Sequence, residues 1–140
     1  MKVFLDTNVM LDFVGERNPF FENAQIIVNL ADKGKIILYV SALSFATCSY
    51  FLTKEYGTLI AKDKLSKFKI LTNIVAVDEV IVDKSLLSKF SDFEDGLQYF
   101  SALKESCTYI LTRNEKDFKS SEITIMNPKE FLVYYKKNKQ

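Results

Sequence analysis

The chain contains no histidine. Histidine-based triads and paired-histidine nucleases are therefore excluded, and any hydrolysis must use carboxylates, hydroxyls, lysine, arginine or a metal ion. The carboxylates worth weighing fall in three places. Asp6 follows the strand-like run KVFL and is followed by Thr7 and Asn8. Asp92, Glu94 and Asp95 stand together in SDFEDGLQYF. Asp117 lies in ILTRNEKDF, behind Thr112, Arg113 and Asn114. All three stretches put acidic or amide oxygens where strand meets helix, on one edge of a sheet. Asp6, Asp95 and Asp117 gathered there would repel one another, and they stay ionised together only if cations compensate them. Arg113 is the one nearby basic candidate, although it can also serve simply as an ion-pair partner of Asp6 or Asp117. The alternative is Mg²⁺ or Mn²⁺, hard ions that take oxygen ligands and keep waters for a substrate. A metal held by carboxylates can generate hydroxide and stabilise a phosphoryl transition state.

The acids of SDFEDG do not all carry the same weight. Ser91 and Glu94 stand at capping-box spacing, so Glu94 reads as a helix cap. Asp92 suits a cap or a site equally. Asp95 reads as functional, because Gly96 follows it. Glycine inside a helix costs about 1 kcal/mol relative to alanine, which marks close approach of another backbone or a crowded site wall.

The elements that must position these residues alternate strand and helix. KVFL, IILYV, NIVAVD, TYILT and EITIMN read as strands. NPFFENAQIIVNLADKG reads as a helix capped by Asn18, with Pro19 at its first position and Gly34 at its end. SALSFATCSYFLTKEYG is a second long helix, capped by Ser41 or Ser44. TLIAKDKLSKFKILT is a third, with Leu65, Phe68 and Leu71 turned inward. EVIVDKSLLSKF, SDFEDGLQYFSALKES and PKEFLVYYKK complete the set. Alternation of this kind implies right-handed crossovers and a mostly parallel sheet covered on both faces. Ligands of such sheets bind beyond the carboxyl ends of the strands, which is where Asp6 lies.

Composition narrows the classes. The 140 residues suit one domain, spanning 1–140, and 12 Phe with 7 Tyr supply a real core. Nineteen basic against 18 acidic side chains leave a net charge of +1, so no overall field selects nucleic acid or membrane. Lys62, Lys64, Lys67 and Lys69 read as a solvated helix face. Cys48 and Cys107 lie far apart in apolar patterns and read as buried thiols in a reducing compartment. No leader is legible and no apolar run can span a bilayer. A cytoplasmic protein with no membrane association is expected.

Taken together, the motifs resemble those of the PIN-domain family, small metal-dependent nucleases. FLDTNVMLDF is similar to the family's strand ending in D-T-N. EDGLQYFSAL is similar to its D-A-L setting, which places Asp95, and ILTRNEKDF to its T-R-D-x-D-F run, which places Asp117. The resemblance covers nearly the whole chain. It implies a three-layer α/β/α fold with a central, mostly parallel sheet. It implies metal-dependent hydrolysis of single-stranded RNA, with Asp6, Asp95, Asn114 and Asp117 as catalytic residues and Asp6, Asp95 and Asp117 holding Mg²⁺ or Mn²⁺. Many members are toxins restrained by an antitoxin protein, and many form homodimers, so both partners join RNA as expectations. Two departures stand out. Thr47 occupies the place of the family's usual Glu, and Asn114 that of a frequent Asp, so the site loses up to two negative charges. The other reading is a module of the same fold that binds RNA or a protein without turnover.

Overall fold

The computed structural model describes residues 1–119 and 121–139. Strand β1 (Lys2–Leu5) is the centre from which the rest is built. Val3, Phe4 and Leu5 are all buried, as a parallel strand covered on both faces requires. The chain continues through α1 (Thr7–Val14), α2 (Phe21–Asp32), β2 (Ile37–Ser41), α3 (Ala42–Tyr56), α4 (Thr58–Ile70), β3 (Asn73–Val75), α5 (Glu79–Leu87) and α6 (Phe93–Lys104). It ends with β4 (Tyr109–Leu111), a short 3-10 turn at Glu115–Phe118, β5 (Thr124–Met126) and α7 (Pro128–Asn138). The sheet order is β3-β2-β1-β4-β5, every pair parallel, with Val3 opposite Leu38 on one side and Tyr109 on the other. This is the expected three-layer arrangement.

The period of two along β1 divides the core. Val3 and Leu5 pack with Val9, Met10, Ile27, Leu52, Phe68 and Phe131, so α1 to α4 and α7 cover one face. Phe4 points the other way, to Tyr99, Ala102, Ile110 and Phe118, beneath α6. Chain order runs outward from β1 to β3 and then returns to β4 on the opposite side of β1. The order therefore reverses between β1 and β4, and a crevice opens beyond the carboxyl ends at such a reversal. Among the described residues, no helix is long and apolar enough to cross a membrane.

Several local expectations are corrected. The apolar run after Asn8 is the helix α1, unforeseen because VMLDFV is nearly continuous in its apolarity and suits strand or helix. It stops at Gly15, where a Cβ would stand 2.9 Å from the Leu11 carbonyl oxygen. Asn18 and Pro19 do not open α2. They precede it in a turn, and the helix starts at Phe21 behind Phe20 with no side-chain cap. Leu87 ends α5, three residues short of the expected Phe90. At α3, the Ser41 hydroxyl accepts the Ser44 N–H, so Ser41 is the cap.

Candidate active site

Asp6 is 8% exposed, and its charge is met from several directions. It caps α1: Oδ1 accepts the Thr7 N–H at 2.8 Å, at the positive end of the helix. Gln98 of α6 donates its Nε2–H to the same oxygen at 3.1 Å. Oδ2 accepts from the Thr112 hydroxyl at 2.8 Å and, at 3.5 Å, from the Asn8 amide. Gln98 itself is 2% exposed. Its Nε2 also reaches the Ser44 and Thr7 hydroxyls, and its Oε1 accepts from Ser41. A polar network thus runs from β4 through Asp6 to α3 and α6. Among the described residues, no buried side-chain nitrogen or oxygen lacks a partner. Donors and a helix end let this carboxylate stay in the core edge, where an unpartnered one would be expelled.

Asp6 opens onto a cleft of about 310 Å³ beyond the carboxyl ends of β1 and β4, at the point where strand order reverses. Asp95, Asn114 and Asp117 line the same cleft, as do Thr47 and Asp92. The four residues picked out for catalysis therefore share one cavity, although they come from three separate segments. Thr47 faces it from α3. Asp95 has the more exceptional surroundings. Burial raises its pKa, and the carboxylates of Asp92, Asp6, Asp117 and Glu94 raise it further, to about 7. Every neighbouring charge acting on it is negative. Ser91 and Glu94 do not form the capping box expected of them. Asp92 is the N-cap of α6, accepting the Glu94 N–H at 2.9 Å, and Glu94 points into the cleft. Gly96 marks a close approach as anticipated, with Ser85 of α5 against its Cα.

Arg113 is not the partner of Asp6 or Asp117. Its guanidinium makes two hydrogen bonds to Asp12, Nε to Oδ2 at 2.7 Å and Nη2 to Oδ1 at 3.3 Å. Asp12 is 1% exposed, and Arg17 Nε lies 3.7 Å from its Oδ1, the oxygen that Arg113 Nη2 also reaches. Burial holds the Asp12 carboxyl above its ordinary range, against the opposing pull of Arg113. Both arginines line the cleft, and their side-chain hydrogen bonds and ion pairs go to Asp12 rather than to the acids opposite. Sequence reasoning missed Asp12, Arg17 and Gln98. The available signals were one acid inside the apolar run of α1, and one amide a helical turn beyond Asp95.

The donors facing the cleft are oxygens throughout: carboxylates, the Asn114 amide and the Thr47 hydroxyl. They suit a hard divalent cation, and the one-signed field at Asp95 is what such a cation relieves. Among the described residues, no three acidic, histidine or cysteine side chains are grouped so that they could hold a metal ion, so Asp6, Asp95 and Asp117 share the cleft without forming a ready three-ligand set. An open site with few protein ligands fits Mg²⁺, which keeps several of its waters.

Comparison with known proteins places the family and the fold. A family model of the PIN domain matches residues 2–116. Ribonuclease VapC1 of Aquifex aeolicus (strain VF5) is 32% identical over 138 residues, spanning 93% of this chain and 92% of that protein. VapBC2 from Rickettsia felis, solved on a DNA fragment from its promoter, superposes with a TM-score of 0.68 at 18% identity, over 91% of this chain and 98% of that one. Mycobacterium tuberculosis VapC20, a sarcin–ricin-loop-cleaving toxin, superposes with a TM-score of 0.61 at 12% identity, over 77% and 86%. At these identities the two structures speak to the fold.

Proposed function

Because this chain belongs to the PIN-domain family, we propose that it is a metal-dependent endoribonuclease acting on single-stranded RNA, and the toxin of a toxin–antitoxin pair. The observation that carries the reading is the meeting of Asp6, Asp95, Asn114 and Asp117 on one cleft whose arginines pair with Asp12 rather than with these acids. Asp6, Asp95 and Asp117 would hold Mg²⁺ or Mn²⁺, with the Asn114 amide as a neutral neighbour. When bound, such an ion supplies an activated water and offsets charge on the phosphoryl oxygens. The protein's own contribution is positioning. Thr7, Gln98 and Thr112 hold the Asp6 carboxylate in one orientation. Arg17 and Arg113 stand on the cleft wall, where RNA phosphates would pass.

A ribonuclease of the VapC group among the relatives, and VapBC among the structures, support an antitoxin as partner. The exposed Tyr50, Phe51, Leu59 and Ile60 of the α3–α4 hairpin offer apolar surface for a protein to cover. Leu86 and Leu87 of α5 do the same for a second copy of the chain. The free thiols Cys48 and Cys107 support a reducing, cytoplasmic setting.

The test is cleavage of a pool of structured and unstructured RNAs while Mn²⁺ is titrated. Cleavage should appear with Mn²⁺, vanish on chelation and fall about a hundredfold or more in Asp6→Asn, a loss of about 2.7 kcal/mol of transition-state stabilisation. A folded wild-type protein that binds RNA and never cleaves it would replace this reading with the module that lacks turnover.

A further inference from the structure

A second pocket, of about 530 Å³, adjoins the carboxylate cleft, and Arg113 is common to both. It lies beyond the carboxyl ends of β4 and β5, between the turn that precedes α2 and the start of α7. Its lining includes Pro19, Phe20, Asn23, Pro128 and Lys129. The Arg113 guanidinium carbon lies 3.9 Å from the centre of the Phe20 ring. Asp12 holds that guanidinium by its two hydrogen bonds, so the ring rests on a fixed support. Phe20 nevertheless remains 40% exposed. A phenylalanine with one face on an anchored arginine and much of its surface in solvent, beside a lysine, has the make-up of a base-stacking platform. Proteins that hold single strands combine aromatic faces for bases with cations for the backbone.

We propose that this pocket is a nucleobase subsite, in which one base of a single-stranded RNA stacks on Phe20 while the neighbouring phosphate lies in the carboxylate cleft, and Lys129 meets the flanking phosphate. The inference rests on the ribonuclease reading for the identity of the strand. The two are separable, because stacking is measured without turnover. The shared Arg113 sets the two pockets side by side, and Lys129 supplies a cation for a polyanion. Asn23 stands where an amide can meet a base edge.

The experiment uses single-stranded RNA oligonucleotides carrying 2-aminopurine at successive positions, with the intact protein and Ca²⁺ in place of Mn²⁺, so that the cleft's acids are compensated while strand integrity is checked on a gel. Fluorescence should be quenched at one position of the strand. Phe20→Ala should abolish that quenching and weaken binding by roughly five- to a hundredfold, the range for losing one stacking aromatic. Phe20→Tyr keeps the ring and should restore both, which separates stacking from a folding defect. Wild-type quenching at no position overturns the proposal. So does Phe20→Ala that quenches and binds like wild type. Loss of quenching in Phe20→Tyr as well would overturn it too. Quenching without cleavage in Mn²⁺ would support the subsite while removing the nuclease reading.

Discussion

Asp6 and Asp95 share a cleft, yet their charges are handled in different ways. Asp6 accepts hydrogen bonds at both oxygens, whereas Asp95 feels burial and four like charges and is pushed up to about 7. Removing the charge should therefore have different consequences at the two sites. Asp6→Asn turns an amide N–H towards a donor, Gln98 or Thr112, and should cost about 1–3 kcal/mol for the group left unpaired. Repulsion alone would have favoured a more stable Asp6→Asn protein, and the observed network argues against it. Asp95→Asn instead relieves a penalty. Below its ordinary value near 3.8 the carboxyl is protonated whether folded or unfolded. As pH rises from there towards 7 the unfolded chain releases the proton while the folded one retains it, so stability falls. Above 7 the loss is complete. In chelator, thermal melts from pH 4 to pH 8 should show this decline in wild type and a flatter profile in Asp95→Asn. The variant should match wild type at pH 4 and exceed it at pH 8. Profiles of identical slope would mean that Asp95 is not the strained acid.

At the scale of elements, the site depends on how closely α5 and α6 approach. Gly96 makes that approach: an added Cβ would stand 3.1 Å from the Ser85 Cβ and 3.3 Å from its Cα. The helix would gain about 1 kcal/mol from alanine there, but backbone contact means that relief requires α5 to move. Overpacking of this kind costs about 1–3 kcal/mol. Gly96→Ala should thus be destabilising by about 1 kcal/mol, and Gly96→Val by clearly more, as urea unfolding would read. An alanine variant more stable than wild type would show that α5 gives way freely. Displacement of α6 would also shift Asp95 and Gln98, one residue before Gly96 and two after, so RNA cleavage should fall with stability. The capping of α1 by Asp6 works in the same way, since one side chain both starts a helix and faces the cleft.

For the whole molecule, the reversal of strand order between β1 and β4 explains why residues more than a hundred positions apart meet. Asp6 follows β1, Thr112 to Asp117 follow β4, and α3 and α6 bring Thr47 and Asp95 alongside. A ligand bound at such a junction ties the layers together, and binding only to the folded state stabilises it by mass action. At a Mn²⁺ concentration about a hundred times Kd the gain is about 2.7 kcal/mol, a rise of several degrees in Tm for a domain of this size. Asp6→Asn should lose most of that rise. Thr47→Glu, which restores a carboxylate from α3, should reach it at a lower Mn²⁺ concentration. An equal rise in all three proteins would place the bound ion away from this cleft.

The sequence by itself determined the layers and the end of the sheet that carries the acids. Apolar runs without alternation report strands buried on both faces, and the residues just beyond them are committed to the carboxyl edge by the chain's direction. It also determined that something must approach Gly96, because glycine has a local cost that only a neighbour justifies. Pairings across distant segments were decided by the tertiary structure alone. Arg113 could have met Asp6, Asp117 or Asp12 on charge alone. It meets Asp12, 101 positions away, because α1 turns that carboxylate towards the end of β4. Gln98 is equally uninformative in isolation, and becomes the clamp of Asp6 only once α6 lies across the sheet edge. Phe20, which lies within the stretch expected to be helical from Pro19 onwards, falls outside the helix and stays half-exposed against Arg113. Periodicity records which faces are apolar, whereas the partner of a long polar side chain depends on distances that exist only after the layers have packed.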